Sequence, residues 1–218
     1  QGNHDLGHIA AEYRYSMMPD YIYPERNIQF EKTLVSTGTN YEGIHTMENA
    51  AFEFENETWG KLLVIAFEFA PRDEALDWAR QLIESDRFKN HTVIILTHSF
   101  LLNNGERIVN EGYKLTPRNW AQAVWDKLIY PSKNIKLVLC GHTGTPPQMN
   151  GSEKVDYHTT TACRVDPAAD GHKVVQMMFN SQNGDGSWNG NGGDCWLRIL
   201  EFKPDGKTIG IRTFSPLF

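Results

Sequence analysis

The sequence is poor in cysteine, in long apolar runs and in net positive charge. Its three cysteines, Cys140, Cys163 and Cys195, are far apart and form no C-x-x-C, which excludes a zinc ribbon. Three free, buried thiols are the preferred expectation over one disulfide and a lone thiol. No run of about 18 apolar residues occurs, so no membrane-spanning helix is expected. No signal-peptide pattern is visible in residues that begin with Gln1 rather than Met. Net charge is −6, which gives no general attraction to nucleic acid or to an anionic membrane surface. A negatively charged substrate would need a local positive feature, and a bound metal ion is the obvious one.

What is present suits a packed α/β protein. Hydrophobic residues make up 40% and aromatics 11% of 218 residues, enough for a core and too many for a disordered chain. No internal repeat and no Pro- or Ser-rich linker divides the chain, so a single domain over residues 1–218 is expected. Ala51 to Glu55 alternates with period two, Glu57 to Gly60 reads as a turn, and Lys61 to Phe67 reads as a buried strand. Pro71-Arg72-Asp73 opens a helix with Asp73 at its cap and an apolar stripe of Leu76, Ala79, Leu82 and Ile83. Thr92 to Leu96 and Ile135 to Leu139 are continuous apolar runs, as in strands covered on both faces. Thr116-Pro117 reads as the start of a second helix carrying Trp120, Val124 and Leu128. Strand-like runs then follow at 157–162, 173–179, 195–202 and 208–214, with a hairpin turn at Lys203 to Lys207.

Three segments carry chemistry: Gly2-Asn3-His4-Asp5, Thr97-His98-Ser99 and Gly141-His142-Thr143-Gly144. Two of them follow buried strands directly, and the crevice of an open α/β sheet forms at carboxyl ends of strands. His98 and His142 are therefore expected on one rim, with Gly141 letting the backbone turn before His142. Two neutral imidazoles and the Asn3 amide oxygen make half of a plausible hydrolytic metal site. His4 is a candidate proton donor to a leaving group, with Asp5 orienting its ring. His8, His45, His91, His158 and His172 lack such placement and are read as structural.

G-N-H-D, then a strand ending in T-H, then a strand ending in C-G-H-T resembles the calcineurin-like metallophosphoesterases in content and order. The match runs from Gly2 to at least Thr143, and the stretch from Gly192 to Pro216 is similar to the closing strands of bacterial members. The resemblance implies an α/β sandwich of two mixed β-sheets flanked by helices, lacking its N-terminal strands. It implies Asn3, His98 and His142 as ligands of one divalent ion (Mn, Fe or Zn), His4 as the residue contacting phosphate and leaving group, and Asp5 as its support. The implied activity is hydrolysis of a small phosphate ester, a monoester or diester, by metal-activated hydroxide.

The departures from that pattern set further expectations. The family's D-x-H and G-D segments lie upstream of G-N-H-D, and here G-N-H-D stands at the start. Gly144 replaces the second histidine of G-H-x-H. At most one ion of the family's pair is therefore expected, with activity impaired, and the alternative is a non-catalytic remnant that binds or supports. Loss of central strands would open a sheet edge to self-association. Lesser candidates are the alternating Asn and Asp residues of Asn183 to Asp194 as a calcium loop, Trp188 and Trp196 as pocket walls, and Arg72 and Arg164 as phosphate contacts.

Overall fold

Alternating and continuous apolar runs of the lengths seen in the sequence are enough to build a sheet that is buried on both faces. A computed structural model describes residues 1–144, 160–181 and 195–217, together with the backbones of two short strands at 148–150 and 153–155. The strands in chain order are β1 Leu34–Thr39, β2 His45–Asn56, β3 Gly60–Ala66, β4 Thr92–Leu96, β5 Ile135–Cys140, β6 Gln148–Asn150, β7 Glu153–Val155, β8 Thr160–Pro167, β9 Lys173–Asn180, β10 Leu197–Phe202 and β11 Ile209–Phe214. The helices are α1 Met18–Tyr21, α2 Ile28–Thr33, α3 Asp73–Glu84 and α4 Ala121–Val124, the last continuing as a π-helical turn over Trp125–Ile129. No helix among the described residues is long and apolar enough to cross a membrane.

Seven strands form one mixed sheet in the order β1-β2-β3-β4-β5-β9-β8. β3, β4, β5 and β9 run parallel, and β1, β2 and β8 add antiparallel partners at the two sides. One face packs Leu63, Ile65, Val93, Ile95, Ile135 and Val138 against Leu76, Ala79 and Ile83 of α3 and against Trp125, Leu128 and Ile129. Each buried Leu, Ile or Val side chain among them contributes roughly 1.5–3 kcal/mol by leaving water. The other face packs Ile94, Leu137 and Met177 against Leu200, Phe202 and Ile209 of the β10–β11 hairpin. The molecule is thus α/β, with helices on one side of a seven-stranded sheet and a two-stranded sheet on the other.

Several expectations change at this level. The second sheet is an antiparallel hairpin rather than a mixed sheet, because its strands are joined by the tight turn in which Lys203 N donates to Thr208 O at 2.9 Å. Asp73 is the first helical residue of α3, not its cap, and Oδ1 accepts instead from Asn119 Nδ2 at 2.9 Å and Lys127 Nζ at 2.7 Å. Thr116-Pro117 does not start a helix. Asn119 ties that stretch to α3 by donating from N and Nδ2 to Pro71 O, both at 2.9 Å, and the helix begins only at Ala121. All three cysteines are free, but Cys163 and Cys195 are exposed rather than buried. The Asn183–Asp194 loop with Trp188, His158 and the Tyr157–Thr159 part of an expected strand lie outside the described residues.

Glu53 on β2 fastens the sheet to the chain that enters β4. It accepts from His91 Nε2 at 2.8 Å and from Arg87 Nη2 at 2.6 Å. The bond from His91, and then that from Arg87, hold its carboxyl below the ordinary value of 4.5. A carboxyl lowered on folding stabilises above its unfolded pKa and loses that contribution as pH falls through the folded value. Glu53→Gln is expected to cost roughly 1 kcal/mol or less at neutral pH, given its partial solvent exposure. The difference from wild type should close in acid, as read from urea midpoints at a series of pH values.

Candidate functional site

Parallel pairing brings two histidines to one place. Ile95 pairs with Val138 and Leu96 with Leu139, and the ladder runs past both strands through Thr97 N to Leu139 O at 3.0 Å and Gly141 N to His98 O at 2.9 Å. His98 and His142 leave on the same edge with ring centroids 4.8 Å apart. Asn3 reaches them from a separate segment that crosses the carboxyl ends of the strands. Arg14 anchors this segment: Nη1 donates to Phe69 O at 2.9 Å, Nη2 to Ala70 O at 2.5 Å, and Nε to Pro117 O at 3.0 Å. Glu68 balances its charge at 3.7 Å, and burial pushes the guanidinium down to about 10, still charged at neutral pH.

The three expected donors meet. His98 Nε2 lies 2.9 Å from Asn3 Oδ1 and 3.1 Å from His142 Nδ1. Donors bound at about 2.0–2.2 Å to one ion at tetrahedral or octahedral angles lie roughly 2.8–3.6 Å apart, and both of these distances fall in that range for a small divalent cation. Among the described residues no group of three or more His, Cys, Asp or Glu side chains gathers to hold a metal. The third donor here is an amide oxygen.

Neighbours hold each donor in its orientation. Asn3 Nδ2 donates to the Tyr113 hydroxyl at 3.0 Å, which turns Oδ1 toward His98. His142 Nε2 lies 3.0 Å from Glu111 Oε1. A carboxylate only accepts, so that nitrogen carries the proton and Nδ1 keeps its lone pair. Glu111 is fixed in turn by Ser99 Oγ, which donates to Oε2 at 2.9 Å. Phe69, buried, packs edge-on to His98 at 5.7 Å and tilted against His142 at 5.9 Å, so no water reaches the rings from below. Burial, and then His142, push His98 down to about 4, which leaves it neutral at pH 7.

Two glycines and one strained residue make the approach. A Cβ on Gly2 would lie 3.0 Å from His98 Cε1, and one on Gly141 would lie 3.2 Å from Phe179 O. Gly141 is thus needed for close approach, whereas the sharp turn falls on His142 itself, at φ 68°. A non-glycine residue there costs on the order of 1–3 kcal/mol and is held by its surroundings. Asn180 Nδ2 donates to His142 O at 3.0 Å, and Thr143 Oγ1 to Leu101 O at 2.9 Å.

His4 and Asp5 do not form the expected pair. Asn3–Asp5 is a single helical turn, and Asp5 Oδ2 faces back to accept from Gly2 N at 2.7 Å. His4 Nδ1 instead donates to Ile9 O at 2.8 Å, which leaves Nε2 as its second polar atom. His4 lines a hollow of about 630 Å³ that shares Gln1 with the hollow of about 420 Å³ beside His98. Arg72 is buried on Glu68 at 2.9 Å, and Arg164 pairs with Asp166 at 2.6 Å, so neither faces the site. His91 is a buried structural residue on Glu53, as expected. The Cys140 thiol, beside the site, is pushed up to about 12 by burial and takes no part as a thiolate.

No family model matches the chain, and no solved structure matches it. The chain is 23% identical over 218 residues to the "Uncharacterized protein YvnB" of Bacillus subtilis (strain 168), which covers 99% of this chain and 14% of that relative. The chain therefore spans about a seventh of the length of the relative it matches.

Glu111, Tyr113, Phe69 and Arg14 escaped sequence reasoning. None sits in a motif, and Glu111 and Tyr113 lie in a loop whose path no periodicity predicts. Should the three donors hold a divalent ion, Glu111→Gln is expected to weaken its binding roughly 10–100-fold, since Glu111 orients His142. Calorimetric titration with manganese or zinc, with His98→Ala as the non-binding reference, measures the change.

Proposed function

We propose that the chain is a calcineurin-like metallophosphoesterase, built as the α/β sandwich of that family, which hydrolyses small phosphate esters with a single divalent ion and therefore with impaired activity. The observation that carries this reading is the meeting of Asn3 Oδ1, His98 Nε2 and His142 Nδ1 within 2.9 and 3.1 Å. Those donors come from three segments separated by 95 and 44 residues, and they follow the order of motifs in that family. The reading covers one ion.

Asn3, His98 and His142 would hold the ion, manganese, iron or zinc, in the place where His98 Nε2 now keeps a proton between its two neighbours. When bound, such an ion supplies Lewis acidity toward phosphoryl oxygens and a water of lowered pKa. Neutral His98 gives up its ligating nitrogen without competition from a second proton. Glu111 and Tyr113 orient ligands, and Phe69 seals the floor. His4, whose Nδ1–H donates to Ile9 O, would serve the departing oxygen as general acid only after Nε2 has taken a second proton from solvent, which it would then pass on. Asp5 braces the turn that carries Asn3 and His4, rather than the His4 ring.

The test is hydrolysis of p-nitrophenyl phosphate, bis-p-nitrophenyl phosphate and phenyl phosphate by metal-stripped chain reloaded with manganese. Metal-dependent turnover that disappears in His98→Ala and His142→Ala is expected. His4→Ala should lose roughly 10²–10⁴-fold on phenyl phosphate, and far less on the p-nitrophenyl esters, whose leaving group needs no proton. Stoichiometric metal without turnover would favour a binding protein that has the fold and no chemistry. Failure to bind any of the three metals would remove the phosphoesterase reading altogether.

A further inference from the structure

The opposite edge of the sheet holds a second, differently built hollow. Trp59, Thr92, Lys136 and Lys173 stand at the amino ends of the adjacent parallel strands β3, β4, β5 and β9. Together with the β10–β11 hairpin they line a crevice of about 420 Å³, within the usual range of about 300–1,000 Å³ for small-molecule sites. Its body is apolar: Ile94 and Val175 come from the sheet, and Phe202 and Ile211 from the hairpin. Ile211 pairs across from Leu200, which puts it on the face turned to the sheet, yet it is 49% exposed. The hairpin therefore does not fill the space it covers. Trp59 fixes one wall, with Nε1 donating to Lys203 O at 2.7 Å and its ring edge-on to Phe202 at 4.9 Å.

The polar groups lining this apolar space include three lysines, Lys136, Lys173 and Lys207. Lys136 sits on an irregularity of β5, where pairing steps from Val93–Ile135 to Ile94–Leu137 and leaves one extra residue. Such bulges re-aim side chains. Among the described residues no carboxylate lies within ion-pair distance of any of the three. The acids nearby have other hydrogen-bond partners, although Asp170 also attracts Lys136 electrostatically. Asp170 takes His172 Nδ1 at 2.5 Å, and Asp205 takes Thr208 Oγ1 at 2.5 Å and the Lys207 amide at 2.9 Å. Lys136 Nζ donates to Lys133 O at 2.9 Å, and burial holds its ammonium below its ordinary value, offset in part by the Asp170 carboxylate. In a chain of net charge −6, three lysines around one apolar crevice, none in an ion pair among the described residues, give a local excess of positive charge.

We propose that this crevice binds an amphipathic anion, an alkyl chain bearing one carboxylate, with the chain between Val175 and Ile211 and the carboxylate beside Lys136 and Lys173, which stand at the starts of the adjacent strands β5 and β9. The apolar walls select the body, and the lysines, as point charges on flexible stems, select the head without demanding a planar geometry. The site is independent of the phosphoesterase reading, since it uses other residues at the other edge of the sheet.

Calorimetric titration of the purified chain with decanoate, decan-1-ol and decyltrimethylammonium, each below its aggregation concentration, tests the assignment. Decanoate should saturate one site per chain, with decanol about tenfold weaker and the cation silent. Lys136→Gln with Lys173→Gln should weaken decanoate about tenfold and leave decanol unchanged. Ile211→Trp, at a half-exposed position, should fill the crevice and abolish both. Melting curves establish that each variant is folded, and should the tryptophan variant fail to fold, the lysine pair decides. Equal affinity for decanoate and decanol, no saturable binding, insensitivity to the lysine variants, or binding only to phosphatidylserine vesicles would each overturn the proposal.

Discussion

The candidate site depends on the parallel pairing of β4 with β5. That register sets Leu96 beside Leu139 and carries on into the Gly141 amide bond to His98 O. Two imidazoles that begin 44 residues apart are thereby delivered to one edge at one height. A shift of one residue in either strand would turn that strand's histidine to the opposite face, away from its partner. Because the paired strands are buried on both faces, the register is specified by packing on two sides at once, and the site inherits that precision.

Around this pair the structure places polar groups in a consistent chain of donors and acceptors. Ser99 serves Glu111, Glu111 serves His142, and Tyr113 serves Asn3. Each link removes one alternative orientation of the next side chain, so the donor set is arranged before any ligand arrives. The left-handed backbone at His142 is the cost of that arrangement, and Asn180 and Thr143 hold it in place. The Arg14 anchor does the equivalent for Asn3, which belongs to no strand and would otherwise be free to swing. The two hollows that share Gln1 leave the site open to solvent along the same edge.

The same sheet separates two chemistries by its polarity. Carboxyl ends gather imidazole, amide and carboxylate groups, whereas amino ends gather lysines over apolar walls. The separation follows from four adjacent strands running the same way, which keeps all their starts on one edge and all their ends on the other.

Much of this was readable from residue order alone. The runs at Thr92–Leu96 and Ile135–Leu139 are apolar without alternation, so they had to be central strands, and the histidines just beyond them had to share a rim. Gly141-His142 was recognisable because a glycine just past a buried strand signals a turn, although the structure uses Gly141 for close approach and puts the turn on His142. Local pattern failed where long-range contacts decide. Asp73 was read as a cap, yet Asn119 and Lys127 claim its carboxylate. Asp5 was read as the support of His4, yet the turn points it at Gly2. Glu111 and Tyr113 carry no local signal, since a loop's path is set by what it packs against. Sequence by itself determined which side chains stand at the ends of which strands, because burial on two faces leaves an apolar run one role. Tertiary structure alone decided which groups orient them, because the contacts of Tyr113 with Asn3 and of Glu111 with His142 join residues 110 and 31 positions apart whose meeting no periodicity encodes.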